Sequence, residues 1–209
     1  MPRKNRPLDR DNGVVRDASL VVIACEDTHA VEQYFARFRT RRVQFIVLPT
    51  EGGRSSPQDV LSRLDHFKQT EATEEGDVFW ICIDTDHWVK ANHIQNLREV
   101  LQQCRQKSYD VAISNPCFEL WLLLHFDQLL SAVPSTCDAV VSALRRVAGS
   151  YRKNRCDLLT ITPAQVQKAL AMAKRMDSDP NEILPSYPVS RVYRLIEVLQ
   201  NRDSIELNP

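Results

Sequence analysis

The sequence predicts an α/β fold: a mostly parallel sheet flanked by helices, with a helical C-terminal portion packed on it. Three observations lead there. Short, largely apolar runs at 19–25, 43–48, 78–83 and 109–114 suit strands covered on both faces. Segments with helical spacing separate them, and strands alternating with helices at this rhythm argue for parallel crossovers. After Asn115 the strand-like runs stop, and helical stretches follow at 138–148, 163–176 and 188–200.

Each element has a local reason. Residues 1–17 are polar, carry Arg3, Lys4, Arg6 and Arg10, and read as a flexible arm. The first strand runs to Cys25 and ends at Glu26-Asp27-Thr28. Residues 29–42 then show helical spacing, with Val31, Tyr34, Phe35 and Phe38 apolar. The second strand ends at Pro49, where a Gly- and Ser-rich loop leads to Pro57, well placed to open a helix through Phe67. An acidic linker at 71–77 precedes the third strand, a helix is expected over 91–107, and Tyr109 begins the fourth strand. From Cys117 to Phe126 the chain is dense in Leu, Phe and Trp. Pro116 suits a helix's first turn, with Ser114 or Asn115 as cap, which sets Glu119 near the positive end of that helix. The expected division is an arm at 1–17, an α/β core at 18–130 and a helical portion at 131–209 packed on the core.

Composition narrows the function. Of 209 residues, 43% are hydrophobic and 26% charged, enough to build a core, so disorder throughout is excluded. Lys plus Arg and Asp plus Glu each total 27, which excludes a uniformly basic nucleic-acid coat but leaves room for a local basic groove. No apolar run approaches the roughly 20 residues of a membrane span, and the polar start has no signal-peptide core; no membrane association and a cytoplasmic location are expected. Cysteines at 25, 82, 104, 117, 137 and 156 have a shortest gap of 13 residues. Without a CxxC pair, buried thiols are expected ahead of a disulfide or zinc site.

In open parallel sheets ligands gather at the carboxyl ends of the strands. Glu26 and Asp27 follow the first strand, Asp84, Asp86, His87 and Trp88 the third, and Glu119 lies just past the fourth. Carboxylates brought that close repel one another unless protons or a divalent cation intervene, and hard oxygen ligands suit Mg²⁺ or Mn²⁺. The plainer alternatives are a capped, solvated turn for Asp84 and Asp86, and an N-cap for Asp27 or Thr28. Glu119 stands among Phe118, Leu120, Trp121 and Leu122, a costly place for a charge without a cation partner. His29, His87, His125 and Lys153 are candidates for proton transfer or phosphate contact, with a surface or satisfied core position the plainer reading of each histidine. Arg37, Arg39, Arg41 and Arg42 form one basic patch; Arg145, Arg146, Arg152, Lys153 and Arg155 form a second, which with Asn115 is expected to meet substrate. Trp88 and Trp121 read as packing residues ahead of base-stacking ones.

The stretches ACEDTHAVEQYF (24–35), FWICIDTDHW (79–88) and AISNPCFELWLLLHF (112–126) together resemble the RloB-like family of bacterial defence-associated proteins. YRKN at 151–154, AMAK at 171–174 and SYPVSRVYRLIEVL at 186–199 extend the resemblance over most of residues 19–200. It implies a Toprim-like domain, shared with topoisomerases, primases and nucleases of the overcoming-lysogenization-defect type. There an acid after the first strand and an Asp-x-Asp after the third hold Mg²⁺; the matching positions are Glu26, Asp84 and Asp86. Asp27 departs from the Gly that relatives often carry. The implied activity is metal-dependent phosphodiester hydrolysis in antiphage defence, catalysed by Glu26, Asp84 and Asp86; Glu119, from its place in the chain, is expected to join the catalytic set by supporting a ligand or a second metal. RNA, tRNA included, is favoured over DNA, and the resemblance admits an ATPase partner and a homo-oligomer. The alternative is a non-catalytic module that binds nucleic acid or a nucleotide, or docks that ATPase.

Overall fold

The computed structural model describes residues 18–88, 93–126, 133–149, 151–202 and 206–207. Strand β1 (Ser19–Cys25) is buried from Leu20 onward. Its side chains alternate between faces: Val21, Ile23 and Cys25 enter one core cluster, and Leu20, Val22 and Ala24 the other. Helix α1 (Ala30–Phe35) follows, then the short β2 (Phe38–Arg39) and β3 (Val43–Leu48). Helix α2 (Pro57–Thr70) starts at Pro57 as expected, capped by Ser56 Oγ, which accepts from the Asp59 N–H at 3.2 Å. Then come β4 (Val78–Asp84), α3 (Ile94–Gln106), β5 (Asp110–Asn115) and the five-residue α4 (Glu119–Leu123).

The remainder is helical: α5 (Cys137–Ala148), a 3-10 segment (Lys153–Leu158), α6 (Pro163–Met176) and α7 (Val192–Arg202), with the short β6 (Val189–Ser190) and β7 (Glu206–Leu207). A capping box, in which Thr162 and Gln165 satisfy each other's backbone N–H, fixes the start of α6. The main sheet has the order β3-β1-β4-β5-β6, parallel from β3 to β5 and antiparallel at β6. Helices α2 and α3 cover one face through Val60, Leu61, Leu64, Leu97, Val100 and Leu101. On the other, α1 and α4 share a single core with Val140, Leu144, Val166, Ala169, Val192 and Leu195 of the C-terminal helices. No described helix is long and apolar enough to cross a membrane.

Several expectations are corrected. The helix expected over 29–42 stops at Phe35, and Phe38–Arg39 pairs instead with Glu206–Leu207. Like charges at Arg37 and Arg41 oppose a further turn, and Phe38 leaves the helix to pack on Tyr34, Phe35 and Phe45. Ser114 and Asn115 are strand residues and cap nothing: Ser114 Oγ meets Ser190 Oγ at 2.8 Å, and α4 begins only at Glu119, without a side-chain cap. Residues 189–190 form the sheet's fifth strand, so the last helix starts at Val192. Cys117 and Cys137, expected as thiols, form a disulfide with Cα atoms 5.6 Å apart. Tertiary packing brings the β5–α4 elbow against the start of α5, a proximity that a gap in sequence does not encode. Cys25, Cys82, Cys104 and Cys156 are free and buried. The expected arm at 1–17, the first residues of the helix expected over 91–107 and the Arg39 side chain lie outside what is described.

Candidate functional site

Because β1, β4 and β5 run parallel, their carboxyl ends open onto one edge of the sheet. The register sets Cys25 beside Cys82 and Asp84 beside Ser114. Glu26 follows Cys25 directly, and its backbone N–H donates to Cys82 O at 3.3 Å. One Glu26 carboxylate oxygen accepts from the Trp88 indole N–H at 2.9 Å. Burial pushes the Glu26 carboxyl up to about 8, with the Asp86 charge adding to the rise and Trp88, Lys153 and Arg63 opposing it. Asp84 is raised well above the usual carboxylate range, first by burial and then by Glu26 and Glu119. The turn carrying Asp86 is pinned to the next strand: the N–H groups of Thr85 and Asp86 donate to Pro116 O at 3.0 and 3.1 Å.

Glu119 lies beneath this edge at 1% exposure. Its Oε1 accepts from the Tyr151 hydroxyl at 3.1 Å and lies 3.8 Å from Lys153 Nζ, the cation partner its apolar surroundings demand. Lys153 Nζ is also 3.6 Å from Asp27 Oδ2. Burial works against this ammonium, but Glu119, Asp27, Asp84 and Asp86 outweigh it and raise its pKa. The 3-10 segment that delivers Lys153 is clasped to α1. Gln33 donates to Asn154 O at 3.1 Å and accepts from the Asp157 N–H at 3.3 Å, and the Arg37 guanidinium donates to Cys156 O. Asp27 caps α1 through its Oδ1, which accepts from the N–H groups of His29 (2.6 Å) and Ala30.

The donor set is one of hard oxygens whose mutual repulsion a divalent cation would relieve. Among the described residues, Cys117, Glu119 and Cys137 also bring three possible ligand atoms within 4.8 Å of one another. That trio could hold a metal ion, but its two sulfurs are joined as the disulfide.

The other candidates are distributed as follows. Asn115 is committed within the fold: its amide donates to Pro185 O and Tyr187 O, both at 3.0 Å, and accepts from Thr85 Oγ1. Arg145 donates to Tyr151 O at 3.2 Å, and Arg155 is paired with Asp157. Arg146 and Arg152 are exposed. His87 is exposed, with Nε2 3.6 Å from Asp86 Oδ2, and His29 is exposed at the start of α1. His125 is a satisfied core residue between Tyr34 OH and Trp121 O, and burial lowers its pKa to about 4. Trp121 is fully buried. Sequence reasoning missed the hydrogen bond from Trp88 to Glu26, the one from Tyr151 to Glu119, and the Gln33 clasp. The closeness of Trp88 to Asp86 in the chain, and the YRKN stretch that carries Tyr151 and Lys153, were the available signals.

The profile of the family described as RloB-like protein matches residues 21–199. The chain belongs to this family. No curated protein and no solved structure matches it. In this RloB-like protein the matched stretch holds the whole acid cluster, from Glu26 to Lys153, together with the segments that position it.

Proposed function

We propose that this RloB-like protein is a divalent-metal-dependent nuclease with a Toprim-like core, hydrolysing phosphodiesters of RNA in preference to DNA as an effector of bacterial antiphage defence. The observation that carries the hydrolytic reading is the gathering of Glu26, Asp84, Asp86 and Glu119 at the carboxyl edge of a parallel sheet, with two of the acids pushed toward protonation and an ammonium beside them. Glu26, Asp84 and Asp86 would hold Mg²⁺ or Mn²⁺. When bound, such an ion supplies charge neutralisation at the phosphate and lowers the pKa of water. Trp88 orients Glu26 by its hydrogen bond, and Glu119 holds Lys153 where its ammonium can face negative charge growing on the phosphate. Exposed Arg146 and Arg152 offer contacts to flanking phosphates. The substrate and the defence role rest on family resemblance.

One observation favours the alternative, a non-catalytic binding module with a partner ATPase: the Lys153 ammonium is already shared between Asp27 and Glu119. Incubation of purified protein with total RNA and with plasmid DNA, in Mg²⁺, Mn²⁺ or chelator, with and without the ATPase, separates the two. Metal-dependent RNA cleavage that falls at least tenfold in Asp84→Asn is expected. Cleavage that survives chelator, or no cleavage under any condition, overturns the nuclease reading.

A further inference from the structure

Cys117 and Cys137 are a pair of sulfurs joined to the acid cluster through Glu119 that phosphodiester hydrolysis leaves unused. Cys117 is buried in the elbow between β5 and α4, whereas Cys137 opens α5 and is half-buried. Cys137 lines an open cavity of about 460 Å³ with Thr85, Asp86, Asn115, Thr136 and Asp138. One sulfur of the pair is therefore within reach of a soluble thiol. Glu119 presents an oxygen to each side: Oε1 faces Tyr151 and Lys153, and Oε2 lies 3.9 Å from Cys137 Sγ. The remaining cysteines differ. Cys25, Cys82, Cys104 and Cys156 are buried, unpaired and held as thiols by that burial.

We propose that Cys117 and Cys137 form a reversible dithiol–disulfide couple whose reduced form, completed by Glu119, binds a soft divalent cation of the zinc type. The geometry carries it, since the three ligand atoms already lie within 4.8 Å of one another. Thiolates select such an ion over Mg²⁺, and two sulfurs with one carboxylate oxygen leave the fourth tetrahedral position to water from the cavity. The thiolate of a dithiol reductant attacks Cys137 Sγ, Cys117 departs as a thiolate, and the reductant's second thiol resolves the mixed disulfide. The protein pair gains two electrons and two protons, and the reductant is oxidised to its own disulfide. Binding of the cation then displaces the two thiol protons. Disulfide and metal are mutually exclusive states of one site, and Glu119 is the side chain this site shares with the acid cluster.

The test is zinc titration of the full chain by competition with a chromophoric chelator, oxidised and after reduction by a dithiol that is then removed. Thiols are counted in parallel in denaturant, and neither measurement depends on nuclease activity. Four thiols are expected in the oxidised chain and six after reduction. One zinc equivalent should bind the reduced chain, at least tenfold more tightly than the oxidised one. Cys137→Ser should lose that difference, while Cys104→Ser, on the far side of the sheet, should keep it. Because Cys137 is half-buried, its serine variant remains usable where Cys117→Ser fails to fold. Six thiols in the air-oxidised chain, or zinc affinity unchanged by Cys137→Ser, overturns the proposal.

Discussion

At the scale of single residues, Glu26 and Asp84 are held toward their protonated forms by burial and by neighbouring carboxylates. An acid whose folded pKa exceeds its unfolded value binds more protons folded than unfolded, so stability falls as pH rises between the two. For Glu26 that window runs from 4.5 to about 8. The metal-free melting temperature should therefore drop across it. Asp84→Asn, with one charge fewer, should flatten the drop and melt higher near its upper end. The same variant should lose the upward shift that Mn²⁺ gives the wild type. Calorimetry over that pH range checks both; a wild-type melting temperature that climbs with pH contradicts the first. Glu119→Gln keeps shape and hydrogen-bonding reach but removes the charge facing Lys153. It should fold and lose at least tenfold of any metal-dependent cleavage, about 1.4 kcal/mol of transition-state stabilisation. Full activity in that variant would place Glu119 outside the reaction.

At the scale of elements, the C-terminal helices are joined by a buried ionic knot. Asp177, closing α6, accepts from Arg191 (3.0–3.2 Å), Arg194 (3.1 Å), Tyr187 (3.0 Å) and Tyr193 (2.8 Å). Burial alone would raise its pKa, but the donors of Arg191, Tyr193 and Tyr187 outweigh it, and the carboxyl lies below its usual 3.8. Its contribution is present above that value and is lost as pH falls through the still lower folded pKa. The knot also orders the loop bearing Tyr187, whose carbonyl accepts from Asn115 beside the acid cluster. Asp177→Asn strands the Arg191 charge and should cost about 3–5 kcal/mol by urea denaturation. Its stability should also depend less on pH at the acid end than that of the wild type. A loss under about 1 kcal/mol would mean that the carbonyls of Asp179 and Glu182, which also accept from Arg191, suffice without Asp177.

At the scale of the whole molecule, equal numbers of acidic and basic residues leave no net field to draw in a polyanion. Contact with nucleic acid then depends on where the cations lie. Arg155 is matched by Asp157 and Arg145 is tied to backbone, which leaves Arg146 and Arg152 of that basic patch exposed. Replacing both with Gln should weaken binding largely regardless of sequence. The slope of log affinity against log salt should become shallower by about 0.7 per lost contact on single strands and about 0.9 on duplex DNA. An unchanged slope would return the pair to an ordinary solvated face.

What the chain determined by itself is what local chemistry encodes. Continuous apolar runs buried on both faces, alternating with helices, specify a parallel sheet. Parallel strands in turn place Glu26, Asp84 and Asp86 at one edge whatever else packs around them, and Pro57 marks the start of α2. The apolar neighbours of Glu119 showed that it needs a cation, but not which one. Only the tertiary structure decided that Lys153 answers it, because the 3-10 segment reaches Glu119 by being clasped to Gln33 on the far-removed α1 and to Arg37 just past its end. The same holds for the Cys117–Cys137 bridge, for Val189–Ser190 as the fifth strand, and for Phe38–Arg39 leaving its helix to meet Glu206–Leu207. Each joins segments distant in sequence whose meeting is set by how helices fill the faces of the sheet, and no spacing within either segment carries that information.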